Sequence, residues 1–322
     1  SATGEIARYS TAEEYKNLFE TFISNPWRPV LYTCLFVLAT HFVIALGVQK
    51  GIERSAKILM PLLFVILIIL SVHSLLMPGG EAGLKFLFAP DFSKVTPTTV
   101  LVALGQAFFS LSVTGSGMIV YGAYLPKDED VVDVAQHTAL FDTIAAIVAA
   151  LVIIPACFSY GLDVGAGPSL LFVTLPTILQ DIPLGQLFAV ILYIAMIFAG
   201  VSSLQNMFEA VAESLQHRFP RLSRTATLII LAVLCLGFGI GMETISQWGP
   251  WMDLVSIYII PIGATLGAVS WFYVMKKDEL LSAINTGSGK TRGRLWYGIG
   301  RYLYVPLAVI LCCVALFMKV AF

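Results

Sequence analysis

The stretch GQAFFSLSVTGSGMIVYGAYL, from Gly105 to Leu125, is apolar enough to cross a membrane, yet Ser110, Ser112, Thr114, Gly115, Ser116 and Gly117 crowd its centre. Serine and glycine offer the backbone alternatives to helix, through competing side-chain hydrogen bonds and conformational freedom. Peptide groups released at membrane depth cost several kcal/mol each in lipid, so they must be buried in protein or line a wet cavity. A helix broken there presents an amide-rich end to a carboxylate, and free carbonyls and hydroxyls to a hard cation. The same small residues also suit a close helix-packing face, and on this stretch alone the two readings stand level.

Asp142 lies about a dozen residues inside its own apolar run, where an ionised carboxylate costs at least ~2.5 kcal/mol. No Lys or Arg occupies the centre of any apolar run, so the partner this charge calls for is a cation. A protonated or hydrogen-bonded structural Asp is the alternative. A second group of oxygens lies in FAGVSSLQNMFEAVAES, where helical spacing puts Ala199, Ser202 and Ser203 on one face and Met207 a turn beyond Ser203. Carbonyls and hydroxyls at this spacing suit Na⁺, because hard cations prefer oxygen. Serine also bonds back to its own helix, which is the packing alternative. Glu209 follows at mid-depth, with a structural carboxyl and a transport role equally open.

Other candidates read as structure. His41 and His73 stand singly on apolar helices. GSGKTRGR at 287–294 lacks the GxxxxG spacing and preceding strand of a phosphate loop and reads as a solvated basic loop. The sequence shows no metal-ligand cluster and no nucleophile beside a base, so nothing in it calls for an enzyme.

The elements that must position these residues are membrane spans. Of 322 residues, 58% are hydrophobic and 12% charged, whereas a water-exposed fold carries about a quarter charged residues. The net charge of −1 offers no basic face to nucleic acid. The five cysteines sit in apolar runs, as small hydrophobes rather than a disulfide framework. A span needs ~20 mostly apolar residues, which predicts an all-α polytopic domain over 1–322 with spans at 30–48, 53–77, 97–124 (broken), 131–160, 184–215, 223–242, 251–275 and 295–320. Residues 1–29 are expected as an outer loop. Segment 161–183, interrupted by Gly167, Pro168, Pro176 and Pro183, is expected as an outer capping loop of two short helices.

Basic residues set the orientation. Lys50, Arg54 and Lys57, then Lys127, then Arg218, Arg221 and Arg224, then Lys276, Lys277, Lys290, Arg292 and Arg294 fall in one set of loops; of the alternate loops between spans, one holds Lys85 and Lys94, and 161–183 and 243–252 hold none. The basic loops are therefore expected in the cytoplasm, with residue 1 and the C-terminus outside. The chain opens SATGEIARYSTAEEY, with no initiator Met and no signal-peptide pattern. It reads as the middle of a polar loop, and an upstream portion is expected. Oligomeric state leaves no signal.

Taken in order, KGIERSAKILMP, GQAFFSLS, YGAYLPKDED, GPSLLFVTLP and FAGVSSLQNMFEA resemble the neurotransmitter:sodium symporter family, and within it the bacterial amino-acid transporters. The resemblance covers nearly the whole chain. It implies the leucine-transporter fold from the fourth to the eleventh helix, two sodium ions, an amino-acid substrate, a multi-pass position in the bacterial inner (plasma) membrane, and no covalent chemistry. The family's first helix, the other broken one, would supply half of the sodium and substrate sites. Phe109, Ser110, Ser112 and Gly115 match the substrate-facing residues of the sixth helix, with Ser110 and Asp142 also matching ligands of the first sodium site. Ala199 (by its carbonyl), Ser202 and Ser203 match ligands of the second, and Ser203 and Met207 would line the substrate pocket. Gly115, where relatives commonly carry a bulky apolar residue, implies a large apolar or aromatic substrate. Ala146 stands where chloride-independent relatives carry an acid, so Asp142 is expected to serve as both sodium ligand and fixed negative charge, without chloride. Gly51 and Pro61 resemble the family's glycine-to-proline motif, where a helix unwinds to admit water to the second sodium site. A proton-coupled permease of the same fold and a non-transporting fragment remain the alternatives.

Overall fold

The computed structural model describes residues 11–25, 27–45, 49–113, 117–165, 169–242 and 245–318. Among these every regular element is helical: α1 (Ala12–Ile23), α2 (Arg28–Ala45), α3 (Gln49–Leu76), α4 (Gly80–Phe88), α5 (Pro97–Ser110), α6 (Gly117–Ala123), α7 (Val131–Tyr160), α8 (Ser169–Gln180), α9 (Gly185–Arg218), α10 (Arg224–Gly239), α11 (Ile245–Asp253), α12 (Ile260–Val269), α13 (Lys277–Asn285), α14 (Arg294–Ile299) and α15 (Val305–Met318). π-helical turns at Leu254–Ile259, Ser270–Val274 and Gly300–Tyr304 continue α11 into α12, extend α12, and join α14 to α15.

Among the described residues, five helical stretches are long and apolar enough to cross a bilayer: Val131–Tyr160, Gly185–Arg218, Arg224–Met242, Trp248–Val274 and Arg294–Phe317. At most 28% of any of their apolar windows is buried, so most of that apolar surface is left for lipid. The chain is a multi-pass membrane protein. The expected span 53–77 is the body of α3, which bends by 111° into α4. At nine residues, α4 is too short to register as a span.

The chain divides into two compact units. The first comprises Ser1–Asp91, Thr143–Gln205 and Ser223–Thr244. Its core interlocks Ile66 and Leu70 of α3, Val152 and Ala156 of α7, Ile178 of α8 and Leu192 of α9. Lipid is as apolar as these side chains, so their contact contributes close packing rather than a hydrophobic driving force. Packing is close where α4 crosses α7: a Cβ on Gly83 would sit 2.5 Å from the Pro155 Cα. The turn into α4 runs through Gly79 at φ +91°, a left-handed conformation that glycine adopts without steric cost.

One expectation is corrected in this unit. Segment 1–29 holds a helix, α1, rather than only loop. Its start is a capping box, in which Thr11 Oγ1 accepts from Glu14 N–H at 3.3 Å and Glu14 Oε2 from Thr11 N–H at 3.1 Å. Tyr15 is 2% exposed, accepts a hydrogen bond from Gln180 of α8, and burial pushes its phenol up to about 12. The Phe19 and Phe172 rings stack at 5.2 Å. The capping segment 161–183 itself contains α8, with Pro176 inside it.

The second unit comprises Phe92–Asp142, Asn206–Leu222 and Ile245–Phe322. Ala268, Phe272, Leu280, Ile284, Tyr297 and Ala308 form its core, with Phe108 of α5 packed against it. The rings of Phe108 and Tyr304 stack 5.8 Å apart and 3° from parallel. That stack anchors the end of α5, where the helix stops.

Candidate functional site

Helix α5 starts on Thr96, whose hydroxyl accepts from Thr99 N–H at 3.2 Å, with Pro97 at the first position, where its missing donor is harmless. The helix ends at Ser110 in a Schellman arrangement. Val113 N–H donates to Phe108 C=O at 3.0 Å and Ser112 N–H to Phe109 C=O at 2.9 Å. The left-handed residue in that motif is Ser112, at φ +51°. An L-residue held there is strained by about 1–2 kcal/mol relative to glycine. The chain resumes helix at Gly117. Gly115 lies outside the described residues.

At this break Ser110 Oγ donates to Asp142 Oδ2 at 2.7 Å, the length of a charge-assisted bond. Asp142 comes eleven residues after the start of α7, hence ~16 Å along the helix axis, near the middle of a ~30 Å hydrocarbon layer. A hydroxyl and a carboxylate so converged can share one hard cation. Phe109 beside them is 41% exposed. The residue types offered both groups as separate candidates, and only the family resemblance joined them.

The second candidate set lies on α9. Ser202 Oγ donates to Ala199 C=O at 2.8 Å, so these two residues are joined through the oxygen expected to ligate. Ser203 and Met207 are exposed, Met207 by 59%. Gly51 and Pro61 both fall within α3, which is helical from Gln49 to Leu76 with Pro61 inside it. The unwinding expected between them is absent from this conformation.

Glu209, on the part of α9 within the second unit, is 6% exposed and accepts from Tyr124 Oη at 3.2 Å. Sequence reading singled out the acid and missed the tyrosine, although a tyrosine closing an apolar run commonly has a buried partner for its hydroxyl.

Helix pattern, broken α5 and mid-depth acid define a membrane transporter of the leucine-transporter fold. Residues 23–321 match the sodium:neurotransmitter symporter family. The chain is 36% identical to the uncharacterised sodium-dependent transporter YhdH of Bacillus subtilis over 326 residues, 97% of this chain and 71% of that protein. It is 30% identical to an uncharacterised sodium-dependent transporter of Haemophilus influenzae, over 96% of this chain and 70% of that one. The crystal structure of MhsT in complex with L-phenylalanine superposes with a TM-score of 0.88 at 34% identity, covering 98% of this chain and 74% of that one. The chain belongs to the sodium:neurotransmitter symporter family.

Proposed function

We propose that this chain carries the sodium and substrate residues of a sodium-coupled amino-acid symporter that works by alternating access, takes apolar or aromatic substrates, and needs no chloride. The observation that carries this reading is the Ser110–Asp142 pair at a helix break in mid-membrane. It is supported by the sodium-dependent relatives and by the L-phenylalanine bound in the MhsT structure. Sodium entering beside Asp142 neutralises a carboxylate that is otherwise costly at that depth. Ser110 supplies an oxygen to the same ion, and Ala199, Ser202 and Ser203 serve a second one. Phe109, Ser112, Gly115, Ser203 and Met207 each serve the substrate. Each charge moved down a 100 mV potential contributes about 2.3 kcal/mol to uptake. Gly51 and Pro61 act as the weak point of α3 through which the second ion leaves inward. The protein lies in the bacterial plasma membrane with its basic loops in the cytoplasm.

The test is uptake of tritiated L-phenylalanine into proteoliposomes holding the chain together with any upstream segment its gene encodes. Uptake should require an inward sodium gradient and proceed with gluconate in place of chloride. Uptake that ignores sodium but collapses with the pH gradient would overturn the reading in favour of a proton-coupled permease.

A further inference from the structure

Two cations meet at one buried tyrosine where the stretches Trp248–Val274 and Arg294–Phe317 approach their basic ends. Tyr297 is 9% exposed. Its hydroxyl donates to the Phe272 carbonyl at 2.9 Å and accepts from Arg301 Nη1 at 3.3 Å. Lys277 Nζ lies 5.6 Å from the centre of the same ring. The Arg301 guanidinium is stacked on Tyr273, 4.5 Å from its centroid, with Tyr302 at 5.8 Å. Tyr273 Oη donates in turn to the Arg301 carbonyl at 3.2 Å.

The π-helical turns explain how the cations come together. Ser270–Val274 and Gly300–Tyr304 face each other so closely that a Cβ on Gly300 would fall 2.0 Å from the Phe272 ring. A π turn breaks the ordinary carbonyl ladder, and a tyrosine hydroxyl from the opposite helix satisfies one carbonyl on each side, at Phe272 and Arg301. The guanidinium is held by the Tyr273 ring and the Tyr297 hydroxyl rather than free to extend.

What this arrangement lacks is an anion. Among the described residues no carboxylate lies within ion-pair distance of Lys277 or Arg301; their neighbour Lys276 pairs with Glu279 at 3.7 Å, and Arg292 pairs with Asp130 at 2.8 Å. The Arg301 Nε is buried with no hydrogen-bond partner. Both cations reach Tyr297 without an acid beside them, and each attracts an anion more strongly as water is excluded around it. Arg301 is seven residues past Arg294, ~10 Å along the helix, and its guanidinium reaches back one turn toward the basic end, to Tyr297, as a cation near a helix end snorkels toward the headgroup layer. The side chains around Arg301 are apolar and exposed, Val274 by 76%, Tyr302 by 74% and Leu303 by 63%.

We propose that Lys277 and Arg301 form a binding site for the phosphate of an anionic phospholipid, with phosphatidylglycerol as the chemical type. The guanidinium and ammonium take the phosphate oxygens, Tyr297 spaces them, and the exposed apolar side chains lie along the acyl chains. Basic recesses between spans on a membrane's cytoplasmic side are suited to such headgroups. The aromatic stacking fixes the donors before the lipid arrives.

The test uses the purified protein in nanodiscs of phosphatidylcholine doped with phosphatidylglycerol, followed by native mass spectrometry of the retained lipid and by thermal unfolding. Wild type should keep one phosphatidylglycerol per chain and unfold at a higher temperature with that lipid than in phosphatidylcholine alone. Arg301→Gln should weaken retention about tenfold, as expected on losing charge-assisted hydrogen bonds. Lys277→Gln, at a half-buried position, provides the same reading should Arg301→Gln fail to fold. Equal retention by wild type and both variants would overturn the proposal, as would retention of phosphatidylcholine in the same amount. Displacement of the lipid by millimolar inorganic phosphate would also overturn it, because the site would then serve a free anion.

Discussion

The Ser110–Asp142 pair allows a quantitative test by double-mutant cycle. The two oxygens are 2.7 Å apart, so an ion bound by one is within reach of the other. Ser110→Ala removes one neutral oxygen next to a charge, worth about 1.5–3 kcal/mol. At 1.4 kcal/mol per factor of ten, sodium affinity should weaken by about ten- to a hundredfold. Asp142→Asn keeps an oxygen and removes the charge. For unit charges ~4 Å apart at an effective dielectric of about 20, the loss is ~4 kcal/mol, on the order of a thousandfold. The hydroxyl is worth most beside the charge, so Ser110→Ala in the Asp142→Asn background should cost less than about threefold. The assay is the sodium concentration for half-maximal substrate binding in detergent, with thermal unfolding as the control for folding. If Ser110→Ala costs the same in both backgrounds, the two groups do not share an ion. Asp142→Asn should also bring a chloride requirement, because it removes the fixed negative charge proposed to make chloride unnecessary. A variant that binds sodium and still ignores chloride would refute that part alone.

Tyr124→Phe removes the hydroxyl that donates to buried Glu209 and should destabilise the protein by about 1–3 kcal/mol, with Glu209→Gln milder than Glu209→Ala in thermal unfolding. Asp130 tests pH dependence. Its Oδ2 accepts from Arg292 Nη1 at 2.8 Å and Ser288 Oγ at 2.7 Å, and its Oδ1 caps α7 at Val132 N–H and Asp133 N–H; the Arg292 bond foremost holds the carboxyl well below the usual carboxylate range. A lowered pKa stabilises the fold at every pH above the ordinary carboxylate value of ~4 and loses that contribution as pH falls toward the lowered one. Asp130→Asn keeps the cap and should therefore unfold at a lower temperature than wild type near neutral pH, with the gap closing only below ~4; a gap that closes at higher pH would contradict the sign. Gly287→Ala places a side chain at φ +72° with its Cβ 2.5 Å from the Glu129 carbonyl oxygen and should cost at least ~1–2 kcal/mol in unfolding experiments. Pro61→Ala restores a backbone donor inside α3 and should slow inward sodium release measured by stopped flow; an unchanged rate would count against the gating role.

How far the residues foretold the structure depends on whether a feature lies on one helix or between two. Asp142 stood out because one acid in a long apolar run is costly wherever that run goes. Its pairing with Ser110, 32 residues away, depends on how α5 and α7 are rotated, which neither run records; only the family resemblance brought them together. The break showed the same limit at closer range. Glycine and serine crowding marked the region, yet the described left-handed residue is Ser112, because the stacked Phe108 at the end of α5 and the Schellman bonds decide where the turn falls. Helix α1 lies in a segment too polar to read as a span; its start rests on the Thr11–Glu14 capping box, and its burial against α8 arises only from tertiary contact. The basic residues make the distinction most sharply. Counted along the chain, Lys277 and Arg292 are equal charges bearing on orientation, and Arg301 falls inside the expected span 295–320. Folded, Arg292 is neutralised by Asp130 in a hydrogen-bonded loop, whereas Lys277 and Arg301 are gathered on one tyrosine without an acid. A charge count therefore serves for topology, but whether a cation closes a loop or awaits an anion is settled by what the opposing helix presents to it.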